Sequence, residues 1–267
     1  MLTFRRLTLL FFIGLLGLNL WIIILGKSSE GFLHAHAGML YFLLFLLYFG
    51  ISIAMAFLPC TGFHYPVICH GKTQDKMVAI TFDDGPDPLK TPVILEILRK
   101  NGIPATFFCI GNKIEGQEAL LQRIVDEGHI IGNHSFSHSK WFDLYPARRM
   151  RAELLETDRI ISQVTGRTPS FFRPPFGVVN PMVSNTLKNR HWQPVCWNIR
   201  SLDTMVSDSR SIMDRIHKRL KPGAIILLHD FTPFVEKHLE ELLLMIGREG
   251  FQIVPLDQLL KLPAYAS

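Results

Sequence analysis

Two uncharged apolar runs near the N-terminus constrain this chain more than any other feature. Residues 7–25 (LTLLFFIGLLGLNLWIIIL) and 38–58 (GMLYFLLFLLYFGISIAMAFL) contain no charged side chain. Each is about as long as a helix needs to cross a hydrocarbon core of roughly 30 Å at 1.5 Å per residue. Both are predicted to be transmembrane helices, with Trp21, Tyr41 and Tyr48 as candidate interfacial aromatics. A cleaved signal peptide is the rival for the first run. Ala35-His36-Ala37 has the small-residue form of a cleavage site, but it lies about ten residues beyond the apolar run, too far for one. Arg5 and Arg6 precede the first run and Lys72 and Lys76 follow the second, with only Lys27 and Glu30 between them. The positive-inside rule then puts both ends in the cytoplasm and predicts a cytoplasmic catalytic domain.

Residues 1–60 thus form an expected anchor, 61–76 a juxtamembrane linker and 77–267 a domain of soluble composition. Five basic and two acidic residues precede Met77, which leaves the domain only +2 of the formal +5. No basic run interleaved with aromatics points to nucleic acid. Of four cysteines, none forms a CxxC pair, so a zinc–thiolate site is not expected. Cys109 and Cys196 lie in apolar runs and read as core residues. Cys60 and Cys69 can pair only in an oxidising compartment, and two free thiols are the expectation.

Within the domain, short β-prone runs alternate with amphipathic stretches. Strands are predicted at 77–82, 105–110, 129–132, 170–173, 193–197, 224–228 and 251–254. Helices are predicted near 90–101, 116–127, 146–165, 180–190, 208–220 and 235–248, several closed by a following glycine. Seven strands alternating with helices argue for parallel βα units. About 190 residues is small for an eightfold barrel, so the predicted fold is α/β, a distorted (β/α)7 barrel preceded by two transmembrane helices. Such barrels collect catalytic groups at the C-terminal strand ends, where this sequence places Asp83-Asp84, Asn133-His134, Arg173, Trp197-Asn198 and His229-Asp230.

Several of these residues suit hydrolytic chemistry, although each has a plainer reading. His134 and His138 are spaced so that one turn brings both imidazoles to one cation. With 11 histidines, that spacing also arises by accident. No Glu follows His134, so the HExxH motif is absent and a general base must come from elsewhere. Asp83 and Asp84 are adjacent carboxylates, costly to hold together unless a cation or Arg offsets them; alone, Asp-Asp-Gly-Pro reads as a solvated turn. Arg173 precedes two prolines that fix its backbone and suits a carboxylate partner; the plainer reading is a rigid loop with an exposed Arg. His229 ends an apolar strand and is either a satisfied core histidine or a general acid.

Taken together, these residues resemble carbohydrate esterase family 4, the polysaccharide deacetylases with the nodulation-protein-B homology domain. Thr81-Phe82-Asp83-Asp84-Gly85, His134-Ser135-Phe136-Ser137-His138, Arg173-Pro174-Pro175-Phe176 and Leu227-Leu228-His229 match its motifs in order. The resemblance implies that Asp84, His134 and His138 ligate one divalent metal, usually zinc. It implies Asp83 as general base oriented by Arg173, and His229 as general acid oriented by Asp203. The backbone N–H of Phe176 is the implied oxyanion donor, and Pro175, Trp197 and Leu227 the expected pocket lining. The fourth motif departs from the usual Asp-x-x-Asp-Trp: here it reads Arg200-Ser201-Leu202-Asp203-Thr204. Asp203 is kept, but loss of the Trp puts acetyl specificity in doubt, with Trp197 a candidate substitute.

The expected function is metal-dependent removal of N-acetyl or other N-acyl groups from amino sugars. The expected partners are an N-acylated sugar, in a polysaccharide, oligosaccharide or lipid-linked glycan, and the bilayer. The alternative is a catalytically silent, membrane-tethered carbohydrate-binding protein.

Overall fold

A computed structural model describes residues 2–25 and 32–266. The loop carrying Lys27 and Glu30 lies outside the described residues. Helices α1 (Phe4–Leu25) and α2 (Phe32–Ala56) cover the two apolar runs. They contain windows with mean hydropathy 2.5 and 2.2, long and apolar enough to cross a membrane. Few of their residues are buried, so they are not core helices of the domain. Polar contacts join the two. The Tyr41 hydroxyl donates to Asn19 Oδ1 (2.9 Å), Thr8 Oγ1 and the Tyr48 hydroxyl share a hydrogen bond (3.1 Å), and Tyr48 stacks on Phe11. Tyr41 and Tyr48, read from sequence as interfacial aromatics, therefore tie helix to helix.

The hairpin docks directly on the domain. Phe4 N–H donates to Phe63 O, and Val179 N–H donates to Ala56 O, both at 2.9 Å. Cys60 and Cys69 form a disulfide, which corrects the expectation of two free thiols. The spacing of nine residues said nothing about proximity; the chain reversal around Gly62 (φ 63°) helps bring the two together. Cys109 and Cys196 are buried and unpaired, as expected.

The domain alternates β1 (Met77–Gly85), α3 (Thr91–Asn101), β2 (Thr106–Cys109), α4 (Glu118–Asp126), β3 (Ile130–Asn133), α5 (Ala147–Thr165), β4 (Phe171–Phe172), α6 (Pro181–Leu187), β5 (Gln193–Pro194), β6 (Ile199–Arg200), α7 (Ser209–His217), β7 (Ala224–His229), α8 (Pro233–Arg248), β8 (Gln252–Ile253) and α9 (Leu256–Leu260). The α3 helix stops where Gly102, at φ 63°, turns its N–H back to Arg99 O and Leu98 O. All strand pairs are parallel, in the order β5-β4-β3-β2-β1-β7-β6, with β8 beside the start of β1.

The sheet is a curled half-barrel of eight strands and not a closed sevenfold barrel. β5 and β6 are two-residue strands at opposite ends of the order, too short to ladder to each other. The segment before β1 lies in that opening: Ile68 bridges Val195, and Gly71 N–H donates to Gly223 O at 2.8 Å. β6 and α9 escaped the sequence pattern because two and five residues are too few for a period to register.

Strand alternation sets up the site. Val78, Ile80 and Phe82 of β1 pack under the helices, whereas Ala79 joins the inner cluster with Phe108, Phe171, Val195 and Ile225. The same period of two turns Thr81 and Asp83 inward. On β7, Ile226 and Leu228 face the helices, so Ile225, Leu227 and His229 point inward.

Candidate active site and metal centre

Asp84 breaks the alternation. Its φ is 73°, and the β1–β2 register shifts between Asp83 and Gly85. Adjacent carboxylates therefore face different ways. Asp84 Oδ1 lies 3.4 Å from His134 Nε2 and 3.3 Å from His138 Nε2, and the three donor atoms fall within 4.8 Å of one another. The site fits a cation. Asp84 Oδ1 is buried with no hydrogen-bond partner, a costly state unless another group satisfies it. His134 Nδ1 lies 2.8 Å from Arg173 O, and a carbonyl can only accept. Nδ1 therefore carries the proton and Nε2 presents its lone pair toward Asp84. Burial opposes ionisation of Asp84, but the neighbouring imidazoles of His134, His138 and His229 outweigh it and hold the carboxyl below its usual range. Burial, with the His134 ring alongside, pushes His138 down to about 4, so its imidazole is neutral and free to ligate at neutral pH.

Beside this donor set, Asp83 is buried and anchored. Arg173, wholly buried, donates from Nη1 to Asp83 Oδ1 (2.6 Å) and Thr81 Oγ1 (2.8 Å). Its other nitrogens donate to Val195 O and Cys196 O at 3.1 Å, and its guanidinium lies over the Phe108 ring. Every nitrogen of the fork is used, which fixes the carboxylate's orientation.

His229 sits across β1 from β2, in register with Asp83. Its Nδ1 lies 2.8 Å from Asp203 Oδ1, while its backbone N–H donates to Asp203 Oδ2 (2.9 Å). Thr232 and Ser201 hydroxyls donate to the same carboxylate. Burial lowers the His229 pKa, but the Asp203 hydrogen bond and charge, with Asp83 and Asp84 beyond, outweigh it and raise the net value. Asp203 is held low despite burial by the same bond. With Nδ1 engaged, Nε2 is the atom available for proton transfer.

Phe176 has φ 57° and stands exposed at the mouth, its ring edge-on to His138 at 4.8 Å; Pro175 beside it is buried. Trp197 presses against the same loop, where a Cβ on Gly177 would fall 2.6 Å from its ring. Leu227 lies inward between Ile225 and His229. Arg200 and Thr204 are exposed. Of the seven positive-φ non-glycine residues described, five (Asp84, Ser135, His138, Phe176 and Leu202) lie in these loops. Such conformations cost about 1–3 kcal/mol each and cluster where geometry serves function.

Sequence reasoning placed Asn133 at a strand end but missed the contacts that support the site. Asn133 donates to Leu154 O and Asp158 and accepts from Ser135 N–H; Trp192 Nε1 also donates to Asp158. Glu153 holds Ser137 through its backbone and hydroxyl.

The chain is similar to known proteins. The polysaccharide deacetylase family model matches residues 70–195. The chain is 33% identical over 197 residues to a peptidoglycan-N-acetylglucosamine deacetylase of Bacillus cereus, covering 70% of this chain and 90% of the relative. It is 30% identical over 200 residues to the peptidoglycan-N-acetylmuramic acid deacetylase PdaA of Bacillus subtilis (73% and 76%). A chitooligosaccharide deacetylase of Rhizobium leguminosarum is 36% identical over 170 residues (61% and 74%). Among solved structures, a peptidoglycan N-acetylglucosamine deacetylase superposes with TM-score 0.71 at 26% identity, covering 75% of this chain and 95% of that one. A pseudoenzyme of the same family from Bacillus anthracis superposes with TM-score 0.68 at 26% identity (73% and 68%), so fold alone does not carry activity. The shared fold, sequence and ordered motifs establish that the chain belongs to the polysaccharide deacetylase family, carbohydrate esterase family 4.

Proposed function

We propose that this protein is a membrane-tethered N-deacetylase that hydrolyses the amide of N-acetylated amino sugars in a glycan, using one divalent metal held by Asp84, His134 and His138. The observation that carries this reading is the convergence at one mouth of that donor set with a carboxylate and an imidazole, Asp83 and His229, each fixed by its own partner.

Zinc suits two imidazoles and a carboxylate, and a bound ion supplies Lewis-acid polarisation of the carbonyl and a lowered pKa for water. Asp83, held by Arg173, accepts the proton of the attacking water as its oxygen bonds to the acyl carbon. The Phe176 N–H donates to the carbonyl oxygen as it gains charge. His229 gives its Nε2 proton to the amide nitrogen as the C–N bond breaks, releasing acetate and the free amine. Asp203 holds that imidazole in the charged form. Pro175, Trp197 and Leu227 line the acyl side.

The tether is the α1–α2 hairpin. The Cys60–Cys69 disulfide favours an oxidising compartment, and hence an extracytoplasmic domain. That reading opposes the orientation expected from charge. Lys76, however, is built into the domain, donating to Glu249 O and lying over Phe251, and the remaining basic bias near the spans is small.

Metal analysis of the purified full chain, with acetate release from N-acetylglucosamine oligomers, tests the reading. About one metal per chain and metal-dependent acetate release are expected. Oligomer binding without acetate release by the metal-loaded protein favours the silent carbohydrate-binding alternative.

A further inference from the structure

The mouth of the site opens beside the tether. Val179, whose N–H bonds the last residue of α2, is three residues from Phe176 and next to Asn180. Asn180 Nδ2 donates to Asp143 O, joining the turn Phe142–Leu144 to the same edge. Phe57, Leu58, Trp141, Leu144, Phe176 and Met182 are all exposed along this edge. Single exposed apolar residues elsewhere, such as Leu89, need no explanation, but a grouping that continues from a membrane hairpin does.

Charge points the same way. Lys140, Arg148 and Arg149 flank these side chains, and none has a carboxylate partner among the described residues. Arg148 and Arg149 occupy the first turn of α5, which has no acidic residue. Cations there oppose the helix dipole, so the placement is unfavourable for the helix in isolation. Lys140 and Arg149 instead lie over the Trp141 and Tyr145 rings. Aromatics mixed with unpaired basic side chains suit the headgroup layer of an anionic bilayer.

We propose that this edge of the active-site mouth, residues 140–149 and 176–182, seats on an anionic lipid surface, so that the enzyme acts on amino-sugar glycan carried close to the membrane. The proposal rests on the reading of α1–α2 as a membrane anchor and of the site as a deacetylase. It extends both, because an anchor says only that the domain is held at the membrane, whereas the proposal says which edge of it meets the lipid.

The test uses the full chain in vesicles of mixed phosphatidylglycerol and phosphatidylcholine. The native cysteines are disulfide-bonded or buried. Single fluorophores are therefore placed through Leu144→Cys at the edge, Leu16→Cys in α1 and Asp214→Cys on α7, at the other end of the strand order. Nitroxide lipids are expected to quench the labels at 144 and 16 but not at 214. Quenching at 16 without quenching at 144 overturns the proposal and leaves the anchor standing. Absence of quenching at 16 removes the anchor reading and the proposal with it. In a second arm, Arg148→Glu/Arg149→Glu is expected to slow deacetylation of an N-acetylglucosamine–lipid conjugate in these vesicles by about tenfold. Turnover of soluble N-acetylglucosamine oligomers is expected to be unchanged. Equal losses on both substrates place the arginines in the fold and overturn the proposal, whereas inactivity of the wild type on both substrates counts against the deacetylase reading itself.

Discussion

Arg173 Nη1 donates to Asp83 Oδ1 at 2.6 Å with both side chains buried beneath the mouth of the site. Desolvating two charges is repaid only while both are present, so removing one leaves the other buried and unpaired. Arg173→Leu is expected to destabilise the protein by about 3–5 kcal/mol in urea unfolding. The double variant Asp83→Leu/Arg173→Leu is expected to recover much of that loss. Additive losses in the double variant would show that packing, and not the ion pair, makes Arg173 indispensable.

Asp83 Oδ2 also lies 3.7 Å from His134 Nε2, beside the donor set, so its proposed chemical role can be tested apart from its structural one. Asp83→Asn keeps the shape and a hydrogen-bond acceptor for Arg173 but not the base. Acetate release is expected to fall roughly 10²- to 10⁴-fold, the range for a lost general base, with metal content unchanged. Retained turnover would move the base elsewhere.

The His229–Asp203 pair predicts a pH dependence whose sign follows from the two shifts. His229 is raised above 6.5, so its contribution to stability is full below 6.5 and disappears as pH rises through its higher folded value. Asp203 is lowered below 3.8, so its contribution is present above 3.8 and disappears as pH falls through its folded value. With His229 as the acid, the basic limb of kcat/KM belongs above 6.5. Asp203→Asn is expected to move that limb to lower pH. An unmoved limb in the variant would uncouple Asp203 from the acid.

Much of this was legible in the sequence, for reasons that differ by element. β1, β7 and the long helices are strongly periodic, and their ends fell within a few residues of expectation. The two candidate-site carboxylates were legible because a strand end constrains direction: alternation sends Asp83 inward, and the turn at Asp84 sends the next carboxylate elsewhere. The supports were not legible. Asp158 reaches Asn133 from a helix 25 residues away, and Glu153 holds Ser137 across 16. Such polar contacts leave no period in the chain. The open barrel was equally hidden, because closure depends on ladders between short strands and not on how many strands there are.

The orphaned Asp84 oxygen predicts what chelation does. Dialysis against a strong chelator is expected to abolish acetate release, and added zinc to restore it. Asp84→Ala is expected to fold, because it removes an unsatisfied buried carboxylate, yet to bind no metal and release no acetate. Activity in the chelated protein would remove the cation from the reaction.

The redox state of Cys60 and Cys69 tests the compartment proposed above. They bridge the end of α2 to the strand-like segment that fills the opening beside β5, so the bond ties the α1–α2 hairpin to the domain. Maleimide labelling of the unfolded chain in cells is expected to find only Cys109 and Cys196, with Cys60 and Cys69 appearing after reduction. Protease added outside intact, wall-stripped cells is expected to digest the domain. Four reactive thiols together with a protected domain would restore the cytoplasmic orientation that Arg5 and Arg6 suggested. The distinction selects the substrate, because an outward-facing mouth meets assembled glycan, whereas an inward-facing one meets only precursors not yet carried across.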